Sequence, residues 1–394
     1  MSEGRGPLAG VRVFDLSRAF GGPLLTMLLG ELGAMVVKLE DPRGGDETRE
    51  WPTILADGRS TYFAALNRNK RSMTLDLKHP RAREVVADLA RWADVLVENF
   101  TPGVADRLGA GYEALRGKNP RLVYCSVSGF GQDGPYRSRR GYDPILQAMG
   151  GLMGLTGERG GGPLKTMLPV ADLLAASFSA TAVLAALRHS EATGEGQHLD
   201  MAMFDVMVAA LTTVGTAYLH TGVVPSRSGT ENPARVPSAA FECSDGRFLQ
   251  LVPNQRQWAR FCELVGAPEL ASDPRFGDPV SRVENQAELY PRLRELLRTR
   301  RADEWLADLL AVGIAAGPIH TLDTLFGDPQ VRARGLVKEL DGLRVLALPF
   351  RFSATPTAIQ SPPPALGEHT DGVLRDCLGY PDSRIEELHA TGAV

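Results

Sequence analysis

The sequence predicts an α/β protein in which a parallel sheet is covered by helices on both faces and is followed by a smaller α+β domain. Short apolar runs alternate with helical periodicities through residues 11–127, the pattern of successive βαβ units. A stretch rich in Pro, Ser and Gly, residues 225–237, then interrupts the chain as a linker. Directly after it, Ala239-Ala240-Phe241-Glu242-Cys243, the Asp245-Gly246 turn and Phe248-Leu249-Gln250-Leu251-Val252 form a hairpin signal.

Taken in order, residues 11–16 read as a strand, 24–32 as a mostly apolar buried helix and 35–39 as the next strand. The pattern repeats with a strand at 73–77, an amphipathic helix at 82–92, a strand at 95–97, a short helix near 112–115 and a strand at 122–127. Longer helices are expected over 173–190 and 201–220. Beyond the hairpin, helices are expected at 256–265, 282–298 and 303–311. A strand within 343–350, the extended Pro362-Pro363-Pro364 and a terminal helix over 370–378 complete the reading. The domains that follow are residues 1–224, the N-terminal part of a large domain; 225–330, a small α+β domain; and 331–394, a tail expected to return to the large domain.

Composition narrows the function classes. At 394 residues, with 43% hydrophobic and 23% charged, the chain can bury a sizeable core. A formal net charge of -4 supplies no global attraction to nucleic acid or an anionic membrane, so neither is an expected partner. Residues 1–10 carry no apolar leader and no run of about 20 uncharged apolar residues appears, which gives the expectation of a cytoplasmic protein. Cys125, Cys243, Cys262 and Cys377 are scattered, and no His-Glu-x-x-His arrangement occurs, so no metal site is expected.

The most informative residue is Asp172, in Leu168-Pro169-Val170-Ala171-Asp172, where a long apolar helix should begin. An Asp there serves as a helix cap, contributing about 0.5 to 2 kcal/mol. The cap is the plainer reading of the residue taken alone, but Asp172 can also serve as a nucleophile, because a carboxylate with an unperturbed pKa of about 3.9 is already ionised at neutral pH and needs no partner base. The two roles conflict, since a carboxylate tied up by amides attacks poorly. Arg140-Gly141-Tyr142-Asp143-Pro144 and Gly150-Gly151 lie upstream and suggest a pocket.

Other candidates are less specific. Ser126 and Ser128 lie beside Gly129 and Gly131, but there is no Gly-x-Ser-x-Gly elbow, and turn serines are the plainer reading. Arg68, Lys70, Arg71 and Lys78 surround one strand and suit phosphates or a solvated charge run. Glu98-Asn99-Phe100-Thr101-Pro102-Gly103, with Arg107 soon after, ends a parallel strand, where ligands bind in open α/β sheets and where plain turns also occur. Gly21-Gly22 and Gly30 do not complete a dinucleotide fingerprint. Residues 158–162 form a glycine-rich loop or flap.

Read in order, these segments resemble the class III CoA-transferase (CaiB/BaiF) family across nearly the whole chain. The stretches that carry the resemblance are Leu8-Ala9-Gly10-Val11-Arg12-Val13; Gly33-Ala34, Val37-Lys38-Leu39-Glu40 and Gly45-Asp46; Asn69-Lys70-Arg71-Ser72 with Leu75-Asp76-Leu77-Lys78; Val97-Glu98-Asn99-Phe100 with Pro102-Gly103; Ser128-Gly129-Phe130-Gly131 with Gly134-Pro135; Gly141-Tyr142-Asp143; and Leu366-Gly367-Glu368-His369-Thr370. The resemblance implies a Rossmann-like large domain, a small domain joined by long linkers, and two chains interlocked as linked rings in a homodimer. It implies an acyl-CoA and a carboxylic acid as substrates, with the coenzyme A thioester consumed and no permanently bound cofactor. It places the catalytic aspartate on Asp172, and coenzyme A contacts on Phe20, Leu75, Asp76, Leu77, Lys78, Asn99, Phe100, Thr101, Arg107, Arg140, Gly141, Tyr142 and Asp143.

Two departures from the formyl-CoA branch stand out. Asp41 replaces an arginine beside the adenine, with Arg43 as a substitute, and Pro253-Asn254-Gln255-Arg256-Gln257-Trp258 replaces a glycine flap, which disfavours formyl and oxalate chemistry. The implied mechanism runs through an aspartyl mixed anhydride and an aspartyl-CoA thioester, with backbone amides near Asp172 supporting the oxyanions. A racemase of the same superfamily needs an acid/base pair, with a His where this chain has Tyr142. A CoA-binding protein without turnover is the other alternative. Arg18, Arg49 and Arg256 are the candidates for holding the second carboxylate of a dicarboxylate acceptor such as succinate or glutarate.

Overall fold

The computed structural model describes residues 6–394. Six parallel strands form the main sheet in the order β3-β2-β1-β4-β5-β6. They are β1 (Arg12–Asp15), β2 (Met35–Glu40), β3 (Lys70–Thr74), β4 (Val95–Glu98), β5 (Val123–Ser128) and β6 (Gln197–Ala202). Val13 and Phe14, on opposite faces of β1, are both fully buried, as expected of a strand covered on each side. β1 pairs with β2 on one side and β4 on the other, so the order reverses there. In open α/β sheets the crevice outside the carboxyl ends of two such strands is the ligand site.

Helix α1 (Gly21–Glu31) follows β1 and is buried along its whole length. Helices α2 (Thr61–Asn67) and α3 (Ala82–Trp92) follow, the second burying Val85, Val86 and Leu89. Next come α4 (Asp143–Met149), α5 (Val170–Thr193), α6 (Met203–Ala210) and α7 (Thr212–Thr221). By length and composition α5 could cross a membrane, with mean hydropathy 1.8. Here its small residues Ala171, Ala175, Ala176 and Ser179 are buried, letting it pack closely on α1 and β5.

The chain divides into two compact units. The larger runs through Leu152 and includes Lys165–Thr221 and Ala333–Val394; the smaller comprises Met153–Leu164 and Gly222–Arg332. The smaller unit has an antiparallel sheet of β7 (Ala239–Glu242), β8 (Phe248–Val252) and β9 (Ala315–Pro318). Helices α8 (Trp258–Leu264), α9 (Gln286–Leu297) and α10 (Ala302–Ala311) supply its core through Trp258, Phe261, Leu293 and Trp305. In the larger unit, the tail adds the hairpin β10 (Val337–Leu340) and β11 (Leu343–Leu346) and the helix α11 (Asp382–Ala390), whose Ile385 and Leu388 join Val86 and Leu89 in the core.

Several elements differ from the sequence reading. β3 starts at Lys70 rather than 73, because its register with β2 runs from Val36↔Lys70 to Glu40↔Thr74. The helix expected over 201–220 starts only at Met203, after strand β6, and is broken into two helices bent by 73°. β6 is an edge strand with polar exposed residues, so it lacks the apolar run of its neighbours. The helix expected over 370–378 is present as one α-helical turn, Thr370–Gly372, running into a π-helical stretch, Val373–Cys377, ahead of α11.

Candidate active site

The loops leaving β1 and β4 meet at the strand-order reversal and are stitched together. The Arg18 amide donates to Asn99 Oδ1 at 2.9 Å, and Asn99 Nδ2 returns a bond to the Arg18 carbonyl at 2.7 Å. Below them, buried Asp15 accepts from Ser17, Thr26 and Lys70, the last at 3.1 Å. Lys38, also buried, donates to the Ser17 carbonyl at 2.7 Å and Asp46 at 2.9 Å. Fully paired ions of this kind fix a loop's position, since removing one partner strands a buried charge. The Phe100 amide donates to Glu98 Oε2 at 2.8 Å, which sets the start of the Asn99–Thr101 turn. Burial pushes the Glu98 carboxyl up to about 7 against the bonds it accepts from Ser126 and Phe100.

Asp172 lies in the first turn of α5 but does not cap it. The capping position belongs to Pro169, with no side-chain cap from within the segment. The orphan amide of Ala171 is instead satisfied by Asp143 Oδ1 of α4, at 2.8 Å. This resolves the conflict between cap and nucleophile, because a second carboxylate does the capping. Asp172 accepts from the Gly21 amide at the start of α1. A Cβ on residue 21 would come within 2.9 Å of Asp172 Oδ1, so a side chain there would push that carboxylate aside.

Burial and, after it, the nearby Asp143 charge push the Asp172 carboxyl up to about 7, with the Gly21 amide pulling the other way. The carboxyl is therefore not the unperturbed group expected from the sequence, because burial and the Asp143 charge favour its protonated form. A charge with so little solvation is a stronger nucleophile than a hydrated one.

Asp172 opens onto a cavity of about 780 Å³. Of the residues singled out in the sequence, Phe20, Asn99, Phe100, Thr101, Arg140, Gly141, Tyr142 and Asp143 line it together with Asp172. Leu75, Asp76, Leu77, Lys78 and Arg107 do not. Leu75 is buried core, and Asp76 accepts the Lys78 amide at 2.9 Å and lies 3.8 Å from Arg43. Arg43 is itself held by a two-point contact with Asp41, at 2.9 and 2.8 Å. Gly129 and Gly141 form one wall by direct backbone contact: a Cβ on Gly141 would sit 2.4 Å from Gly129 Cα.

The cation run at 68–78 is neither a phosphate cluster nor a solvated face where it matters most. Lys70 is buried against Asp15, and Arg68 is buried against Glu31. Of the three arginines offered for a second carboxylate, only Arg18 lines the cavity. Arg49 is paired with Glu40 at 2.7 Å and stacked on Phe63, and Arg256 belongs to the smaller unit.

Sequence reasoning missed Trp51 and Tyr62, an aromatic wall with ring centroids 4.8 Å apart, as well as Lys165 and Met167. Tyr62 is pushed up to about 12 by burial and then by the charges of Asp172, Asp143 and Asp46, so its hydroxyl stays protonated. The signal for Tyr62 was present in Ser60, which caps α2 through the Tyr62 and Phe63 amides.

A parallel sheet, a cavity at its switch point and an uncapped carboxylate facing that cavity give the larger unit the frame of a ligand-binding α/β protein. The chain belongs to the CoA-transferase family III, whose description matches residues 8–370. It is 40% identical over 391 residues to the succinate–glutarate CoA-transferase of Agrobacterium fabrum, covering 95% of this chain and 97% of that protein. It is 38% identical over 393 residues to the succinyl-CoA:glutarate CoA-transferase of Mus musculus, covering 98% and 90%. A solved CaiB/BaiF family protein from Brucella suis superposes with a TM-score of 0.87 at 39% identity, over 95% of this chain and 100% of that one. The chain is a family III CoA-transferase.

Proposed function

We propose that this enzyme moves coenzyme A from a dicarboxyl-CoA such as succinyl-CoA to a small free dicarboxylate, with Asp172 as the covalent carrier. The observation that carries the proposal is that Asp172, at the helix start, is released from capping by Asp143 and opens onto the cavity. The class of acceptor rests on the likeness to the succinate–glutarate enzymes.

In the first step ionised Asp172 attacks the thioester carbonyl, forming an aspartyl mixed anhydride and expelling the CoA thiolate. The thiolate attacks the aspartyl carbonyl, releasing the donor acid and leaving an aspartyl-CoA thioester. The acceptor carboxylate opens that thioester to a second anhydride, and thiolate attack on the acceptor's carbonyl yields product and free Asp172. No proton is gained or lost. Whenever the aspartyl carbonyl is attacked, negative charge grows on its oxygen, where the Gly21 amide already points. Exclusion of water protects the anhydrides from hydrolysis, a role for Trp51 and Tyr62 along the cavity.

Four cations, Arg18, Arg139, Arg140 and Lys165, line the cavity and supply contacts for the anionic groups of both substrates. Among the described residues no histidine lines the cavity, which favours this route over proton shuttling by a racemase. A homodimer is part of the same proposal. It is supported by exposed apolar side chains on α5 to α7, among them Phe178, Val208, Tyr218 and Leu219.

The test is Asp172→Ala assayed with succinyl-CoA and a panel of free acids. The proposal expects loss of acyl exchange with coenzyme A binding retained. Undiminished exchange, or a panel in which only monocarboxylates accept, contradicts it.

A further inference from the structure

The mechanism above leaves unused a buried polar side chain close to Asp143. Gln147, on α4, is fully buried and lies outside the cavity lining. Its Nε2 donates to Asp143 Oδ2 at 2.7 Å and to the Leu168 carbonyl at 3.2 Å. Its Oε1 accepts from the Thr166 amide at 3.0 Å and the Thr166 hydroxyl at 3.3 Å. The amide's orientation follows from its partners, because only the nitrogen end can satisfy two acceptors and only the oxygen end can receive an N–H.

The bonds lead in one direction. The Leu168 carbonyl also accepts the Val170 amide at 2.9 Å and the Thr166 hydroxyl at 2.8 Å, which shapes the entry to α5. Asp143, held at one oxygen by Gln147, caps Ala171 with the other. The same segment carries Lys165 and Met167 to the cavity.

We propose that Gln147 is a positioning residue that locks the Lys165–Leu168 segment and Asp143 into one unit, and thereby sets the attack geometry of Asp172. This rests on the transferase reading above. Gln147 touches neither substrate, so it acts on kcat more than on the KM for acyl-CoA. Losing the lock frees Asp143 from its cap and lets Ala171 seek another acceptor, with Asp172 one residue away.

The test uses two substitutions of matched shape in the full chain. Gln147→Leu keeps the volume and removes all four hydrogen bonds; the expected result is a kcat at least tenfold lower, with the KM for succinyl-CoA within threefold of the parent. Gln147→Glu keeps the shape and, when protonated, still donates to Asp143 and accepts from Thr166. When ionised it opposes Asp143 with a second carboxylate. Its activity relative to the parent is therefore expected to approach one at pH 6 and to fall at least tenfold by pH 8.

A ratio that does not change with pH, or a Gln147→Leu kcat within threefold of the parent, overturns the proposal. Should Gln147→Leu not fold, the pH dependence of Gln147→Glu decides alone, since both readings come from one folded protein. Hydrogen exchange at the Thr166 and Ala171 amides separates this idea from the functional one. A parent enzyme that transfers no coenzyme A removes the transferase proposal; unchanged protection of both amides in Gln147→Leu then removes the lock as well, and lost protection sustains it.

Discussion

At the scale of the residue, Asp172 combines two properties that usually exclude each other. It begins a helix, yet it spends none of its charge on that helix, because Asp143 takes the Ala171 amide. Burial and the Asp143 charge push its carboxyl up to about 7, so on the proposed mechanism the attacking carboxylate forms by losing a proton in the working range. The expected pH profile has an acidic limb near 7, with rate rising as pH rises through it. Asp143→Asn keeps an oxygen for Ala171 but removes the charge, and should shift that limb down by on the order of half to one unit, read from kcat/KM against pH.

The sign for stability follows from the same shift. A carboxyl raised in the folded state binds protons more tightly there than when unfolded, so its contribution to stability falls as pH rises from about 4 to about 7. Asp172→Asn, which keeps an acceptor for the Gly21 amide, should stabilise the fold above pH 7 by on the order of 1 to 3 kcal/mol, with the gain shrinking toward pH 4. Denaturant unfolding at several pH values measures it. A pH-independent effect would contradict the raised carboxyl.

At the scale of the element, the site is built where backbones touch. Gly21→Ala places a methyl 2.9 Å from Asp172 Oδ1, so kcat should drop by about 10 to 100-fold while the fold survives, as activity and thermal melting together will show. Gly141→Ala instead drives a Cβ into the Gly129 backbone at 2.4 Å, and should cost about 1 to 3 kcal/mol of stability as well as activity. The sequence made part of this readable. The β1-α1-β2 unit and the Asn99–Thr101 turn were legible because apolar runs and strand ends leave local signals. Strand β6 was not, because an edge strand with exposed His198 and Asp200 carries no such run. The buried role of Lys70 was equally hidden, since its partner Asp15 lies on a strand two positions across the sheet. The choice between cap and nucleophile at Asp172 depended on a carboxylate from another helix, which no local pattern reveals.

At the scale of the whole molecule, the exposed apolar face of α5 to α7 is unusual for a surface left in water. Its cover by a second copy should appear as sedimentation at twice the chain mass at micromolar concentration. A single monomeric species would contradict the homodimer, and would leave the assignment of the active site untouched because its lining residues all belong to the larger unit of one chain.

In the proposed cycle Asp172 becomes the acyl carrier. Incubation with succinyl-CoA, quenching with hydroxylamine and mass analysis of the peptides tests it most directly. A hydroxamate at Asp172, formed only when acyl-CoA is supplied, is the result the account predicts. Rapid acyl exchange with Asp172 unmodified, or with the label on another side chain, would contradict it.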